Sequence, residues 1–266
     1  MNEIISISID TQCRQDGDPG NTGDGKDVSI AIETSCRQGS CALGRGEVLL
    51  ADIAFDASGR HATLLLGHLD AMLKAAGLAA SDVREVYVSC GPGSFTGLRV
   101  GVTVGRTLAQ AVAGLRCVAV PTAAAVAINA AGLDWQRLGV VMDAGDGFIY
   151  GTFFTRDGGA IVQAGQSVVA PAGEFAACLP DDVLLVGEGL RYHQAALQAA
   201  LGDKISRVRL APADWPLHLP TAGAVWRVGR QMANAGLFTD YNQLLPIYSR
   251  APEALRLWNL RQGTCA

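Results

Sequence analysis

Three short segments of the 266-residue sequence each place an acidic residue where an apolar run gives way to a turn: Glu33-Thr34-Ser35, Asp143-Ala144-Gly145 and Gly187-Glu188-Gly189. An acidic residue at a strand end can hold a magnesium-bound water, and backbone free of side-chain bulk can bring N–H groups to a phosphate. Each turn alone says little, but in this order they suit a fold that clasps a nucleotide. A fourth segment, Gly91-Pro92-Gly93-Ser94-Phe95-Thr96-Gly97-Leu98-Arg99, is more specific. Gly91 and Gly93 around Pro92 build a tight turn, Ser94 or Thr96 can cap the helix that follows, and the free N–H groups there could receive an anion. The same residues serve equally as a plain strand-to-helix turn.

Other chemistries find little support. His61 and His68 are seven residues apart, about 10 Å along a helix axis at 1.5 Å per residue, whereas two nitrogens on one zinc lie within roughly 4 Å. His61 reads as an exposed or capping residue. His193 and His218 have no Cys or carboxylate at ligand spacing and read as surface residues. Ser94 lacks the G-x-S-x-G elbow, and Cys90 reads as a buried strand-end thiol. Seven scattered cysteines without a C-x-x-C pair indicate a reduced, cytoplasmic setting. A net charge of −4, from 21 Lys+Arg and 25 Asp+Glu, argues against a chain that captures nucleic acid alone. Residues 100–120 are the most apolar stretch, but Arg106, Gln110 and Arg116 interrupt it, and no signal sequence is read. A soluble protein without membrane contact is expected.

The elements needed to position these segments follow from the pattern. A hydrophobic content of 49% with 17% charged residues indicates a folded globular chain. Strands are expected at residues 28–33, 40–43 and 47–55, then a helix over 60–76, a strand at 85–90, a helix from the glycine turn to about 113, a strand at 116–120 and a helix over 122–131. A second pass of the same kind begins at 138–143, with strands at 148–155, 160–169 and 183–186. A capped helix over 221–236 is expected to rejoin the first pass. This is an α/β order of two ribonuclease-H-like lobes, the actin-like ATPase (ASKHA) architecture. The divisions are an N-terminal extension (1–27, expected flexible), a first lobe (28–130 with helix 221–236), a second lobe (131–220) and a C-terminal segment (237–266). Within the extension, residues 6–15 echo residues 29–38, and only one copy need be the true first strand. The linker between them, 16–25, superficially resembles a calcium loop but carries Pro19 and Gly20 where ligands would need order.

The glycine turn, Ile32-Glu33-Thr34-Ser35, Val140-Val141-Met142-Asp143-Ala144 and Leu245-Pro246-Ile247-Tyr248-Ser249-Arg250 together resemble the TsaB (YeaZ) family, from residue 28 to about 250. The resemblance implies a non-catalytic relative of the metal-dependent TsaD transferase, working in formation of threonylcarbamoyladenosine at adenosine 37 of tRNA. In the catalytic relative, two histidines at i and i+4 on one helix share a metal. Thr122 and Val126 stand at those positions here, so no metal is expected.

The resemblance further implies pairing with a TsaD-like transferase or a second copy of the chain, docking of a TsaE-like ATPase, and tRNA contact only through the complex. Gly97, Gly101 and Gly105 form a stripe at four-residue spacing, where each interior glycine costs a helix about 1 kcal/mol against alanine. Close approach of another helix would offset that, either inside the lobe or across an interface. The resemblance favours the interface, with Leu65, Leu69, Met72, Gly97, Gly101, Gly105 and Leu108 as its residues. Glu33, Thr34, Ser35, Gly91, Gly93, Ser94, Asp143, Gly145, Gly187 and Gly189 are the expected nucleotide or anion contacts. No tightly bound cofactor is expected, ATP or ADP entering only in the assembled complex. The rival is an enzyme in its own right, an ATP-dependent transferase using Asp143 and Glu33 or a glycoprotease-like peptidase.

Overall fold

The structure, a computed structural model, describes residues 8–10, 27–56, 61–212 and 214–250. The first pass runs β1 (Ser8–Asp10), β2 (Val28–Glu33), β3 (Gln38–Arg45), β4 (Val48–Asp56), α1 (His61–Ala75), β5 (Val83–Gly91), α2 (Phe95–Ala111), β6 (Arg116–Pro121) and α3 (Thr122–Asn129). The second runs β7 (Arg137–Asp143), β8 (Phe148–Asp157), β9 (Ala160–Gln163), β10 (Val168–Pro171), α4 (Ala172–Cys178), β11 (Val183–Val186), α5 (Leu190–Leu201) and β12 (Val208–Leu210), and α6 (Ala222–Asn234) follows.

One sheet has the order β4-β3-β2-β5-β6, an antiparallel meander continued by two parallel strands. The other repeats it as β9-β8-β7-β11-β12, with β1 added beyond β9 and β10 beside β8. Two ribonuclease-H-like lobes in tandem make an actin-like architecture. The stretch expected as one strand over 160–169 is two, because Gly165 turns the chain at φ +77°. β9 then pairs with the far half of β8 and β10 with its near half.

Burial explains the order of layers. All six residues of β2 are buried: Ile30 and Ile32 pack in the core beneath α1 and α2, and Ala31 in the core beneath α3 and α6. That second core also takes in Leu138, Val140, Met142 and Phe154, so α3 and α6 lie between the two sheets. A third core joins Val141, Phe175, Leu185, Leu190 and Leu197 under α4 and α5.

Helix α6 packs on the first sheet, and side chains hold its start. Ala222 N donates to Ser40 Oγ at 2.8 Å and Ala224 N to Thr221 Oγ1 at 3.1 Å, meeting donors that a helix end leaves open. Trp226 Nε1 donates to Ser29 Oγ at 2.8 Å in the buried interior. Buried Glu85 accepts from Arg116 Nη2 at 2.5 Å, from Arg230 Nη1 at 3.3 Å and from the Tyr87 hydroxyl, the multiple pairing that a buried carboxylate requires.

The first copy of the repeated segment supplies β1, with Ser8–Asp10 antiparallel to residues 160–162 and in contact with α6. It is an added edge strand of the second sheet. The rest of residues 1–26, including the linker, lies outside the described residues, as does the C-terminal segment beyond 250. Among the described residues no helix is long and apolar enough to cross a membrane.

Candidate functional site

The sequence-predicted site residues fall into two groups at the ends of β2, β5, β7 and β11. In the first lobe, Thr34 Oγ1 donates to Gly97 O at 2.8 Å, and Ser94 N donates to Ser35 O at 2.6 Å. These bonds clamp the end of β2 onto the glycine turn, where the Gly91-Pro92 peptide is cis. Ser94 caps α2, its Oγ accepting from Gly97 N at 3.3 Å. A Cβ on Gly93 would sit 2.7 Å from that of Ser35, so only glycine permits this approach. Glu33 is fully buried: Oε1 accepts from Ser35 N, while Oε2 and the Ser35 Oγ have no hydrogen-bond partner. Burial raises the Glu33 pKa, and Ser35 and Ser89 oppose this only in part.

In the second lobe, Asp143 Oδ1 accepts from Gly145 N at 3.2 Å and lies 2.8 Å from His193 Nε2. Gly187 has φ +110°, open to glycine, and a Cβ there would strike Val141 O. Gly189 N donates to Val141 O at 3.0 Å. The Gly187 N–H donates to His218 Nδ1 at 3.0 Å, and His218 Nε2 lies 2.6 Å from Pro212 O. An imidazole that accepts at Nδ1 and donates at Nε2 is neutral, and burial lowers the His218 pKa accordingly.

Both histidines expected at the surface are therefore inside, because each satisfies a turn of the site. His193 had a signal in the sequence: it stands one helical turn beyond Gly189 and so faces the same end as that turn. His218 had none, since 31 residues separate it from Gly187.

Glu188 joins the two groups. Burial pushes its pKa up to about 7, with Asp143 and then Glu33 adding repulsion and Arg191 opposing. Cys36 is raised further by burial, then by Glu33 and Glu188. Cys90, buried and pushed up to about 12, is a thiol at working pH. Glu33, Asp143 and Glu188 repel one another through their carboxyl groups, and the arrangement favours a proton or a cationic group over a bare anion. Among the described residues no three His, Cys, Asp or Glu side chains are grouped to hold a metal ion.

The glycine stripe faces inward, a correction to the expected interface. A Cβ on Gly97 would strike Thr34 O, one on Gly101 the Thr34 hydroxyl, and one on Gly105 would lie 2.6 Å from Val88 Cγ2. The stripe lets α2 seat on its own sheet. Leu65, Leu69 and Met72 are likewise buried in the first lobe's core, and Leu108 packs at that core's margin. What α1 and α2 turn outward is different: Thr63, Leu66, Asp70 and Lys74 on one, Arg99, Thr103 and Thr107 on the other. Leu66 is 50% exposed. His68 stacks on Phe55 with ring centroids 5.0 Å apart.

Known proteins resemble this chain in sequence and in fold. The TsaB protein of Bacillus subtilis (strain 168), a tRNA threonylcarbamoyladenosine biosynthesis protein, is 26% identical over 191 residues, 71% of this chain and 79% of that protein. YeaZ from Pseudomonas aeruginosa matches with a TM-score of 0.68 at 25% identity, covering 84% of this chain and 99% of that one. A second Pseudomonas aeruginosa structure, described as similar to peptidase YeaZ, gives 0.69 at 25% identity over 84% of this chain and all of its own. The family model described as "TsaD: tRNA N6-adenosine threonylcarbamoyltransferase" matches residues 55–245, well over half of the chain. The chain belongs to this family, as a TsaB/YeaZ member. The matched span in this TsaB/YeaZ chain runs from the end of β4 to residue 245, taking in the glycine turn and the second-lobe group, while Glu33, Thr34 and Ser35 precede it.

Proposed function

We propose that this chain works in tRNA threonylcarbamoyladenosine biosynthesis as a non-catalytic subunit that binds and stabilises a TsaD-like transferase. The observation that carries the non-catalytic part lies at the start of α3. Thr122 and Val126 stand where the resemblance puts the paired metal histidines of the transferase. Thr122 Oγ1 is 2.7 Å from Ser89 Oγ and accepts from Gly91 N at 3.1 Å, so it holds the glycine turn, and Val126 offers no ligand atom. On this reading the pairing face is the outer side of α1 and α2, with Leu66 at its centre, and the buried stripe supports that face from within. A TsaE-like ATPase docks on the pair, tRNA is met through the complex, and ATP or ADP is held only there, in keeping with the mutual repulsion of Glu33, Asp143 and Glu188.

The test is capture of a purified TsaD-like transferase. Leu66→Glu is expected to weaken association on the order of 10- to 100-fold, at 1.4 kcal/mol per factor of ten, with the melting temperature unchanged. Threonylcarbamoyl transfer or peptide hydrolysis by the purified chain alone would instead establish the enzyme reading. A homodimer that excludes the transferase would remove the partner assignment.

A further inference from the structure

A cavity of about 600 Å³ opens between the hairpin of β3 and β4 and the last turns of α1, and it shares no residue with either group of site residues. Leu43 and Met72, buried in the first lobe's core, line its inner side. Two features of the chain make the space. A β-bulge pairs Leu43 with Ala51 and Gly44 with Leu49, which leaves Leu50 out of the ladder. Successive residues of a regular strand face opposite sides of a sheet, and a bulge re-aims one of them, so Leu50 and Ala51 both line this cavity. On the helix side, Ala71 and Ala75 are one turn apart, exposed, and too small to fill it. Leu50 is left 45% exposed. The one charged residue of the lining is Arg45, two positions beyond Leu43 and so on the same face of β3. It is exposed, and among the described residues no carboxylate pairs with it.

We propose that this cavity binds a small amphiphilic monocarboxylate, with the carboxylate on Arg45 and the hydrocarbon body against Leu50, Ile53, Ala71 and Ala75. Small-molecule sites run to roughly 300–1,000 Å³, mostly apolar, with a few polar groups that fix orientation, and this lining has that composition. An unpaired guanidinium donates two parallel hydrogen bonds to a carboxylate. A single cation matches a single negative charge, which favours a carboxylate over a phosphate dianion. The apolar body covers Leu50, whose exposure is otherwise a cost to the chain in water. Binding here joins the bulged hairpin to α1 without touching the turns at the ends of β2, β5, β7 and β11.

The probe is decanoate, titrated calorimetrically into the full-length protein below its micelle concentration, with decanol as the uncharged counterpart and decyl phosphate as the more highly charged one. One decanoate per chain is expected, bound more tightly than either. Arg45→Gln should weaken decanoate roughly tenfold, the scale of a hydrogen bond to a charged group, and remove its advantage over decanol. Ala75→Phe places a ring in the space and should abolish binding, and Ala71→Leu, a smaller filling, should weaken it. Both positions are exposed, so circular dichroism and the melt should match the parent, and either variant alone decides if the other misfolds. The proposal is overturned if decanoate does not bind or binds without saturation, or if decanol or decyl phosphate binds as tightly. It is also overturned if Arg45→Gln keeps the preference for decanoate, or if a folded Ala75→Phe or Ala71→Leu protein binds as the parent does.

Discussion

Glu188 holds its proton in the folded chain to about pH 7, while an unfolded glutamate releases it near 4.5. Between those values the native state binds more protons than the unfolded one, so stability falls as pH rises through the window. The loss is at most about 3 kcal/mol, with Glu33 acting in the same direction. Glu188→Gln should therefore raise the melting temperature at pH 8, change it least at pH 4–5, and flatten the profile between; an unchanged slope in a thermal-melt series would contradict the assignment. Gly101→Leu carries the opposite sign at every pH. The added side chain meets Thr34 and Ile32 inside the lobe, and overpacking of this kind costs about 1–3 kcal/mol. At roughly 2–4 °C per kcal/mol for a chain of this size, the isolated protein should melt about 2–12 °C lower. The spacing of the stripe was legible in the sequence, but its direction was not. Glycine at every fourth position says that something comes close, and only the path of β2 and β5 under α2 says that it is Thr34 and Val88 of the same chain.

Among the elements, α6 owes its place to a few contacts that single substitutions can probe. Trp226→Ala would remove a buried indole and leave Ser29 Oγ without its donor, a loss of about 3–5 kcal/mol seen as a lower denaturation midpoint. Retained stability would mean that α6 is not needed to close the sheet. This helix was readable from Thr221 as its cap and from its apolar face, as β2 was from an unbroken apolar run. Helix α5 was harder to read, because it opens at Gly189 without a side-chain cap. The division of 160–169 turned on one positive-φ glycine within a run that otherwise suits a strand. His218 reaches Gly187 across unrelated sequence, a pairing fixed by tertiary packing alone.

Across the whole molecule, residues 245–250 strap the two lobes together. Ile247 N donates to Cys90 O at 2.6 Å in the first lobe, and Arg250 Nη1 donates to Gly145 O at 3.0 Å in the second, with its guanidinium 4.0 Å above the Phe148 ring. Arg250→Ala should release the second-lobe end of this strap, and limited proteolysis should then cut near residues 245–250 faster while the melting point of the lobes moves little. Equal cutting rates would show that the first-lobe contacts suffice. The position of α6 in the chain has a different consequence, for synthesis. The second lobe's strands from β7 to β12 are contiguous, whereas the first lobe's inner face waits for a helix encoded after all of them. At about 5–20 residues per second, the stretch from Pro121 to Ala222 takes the ribosome roughly 5–20 seconds to translate. During that interval the nascent first sheet presents Ala31, Ala42 and Tyr87 to water, and a chaperone has its opportunity there, before Trp226 emerges to cover them.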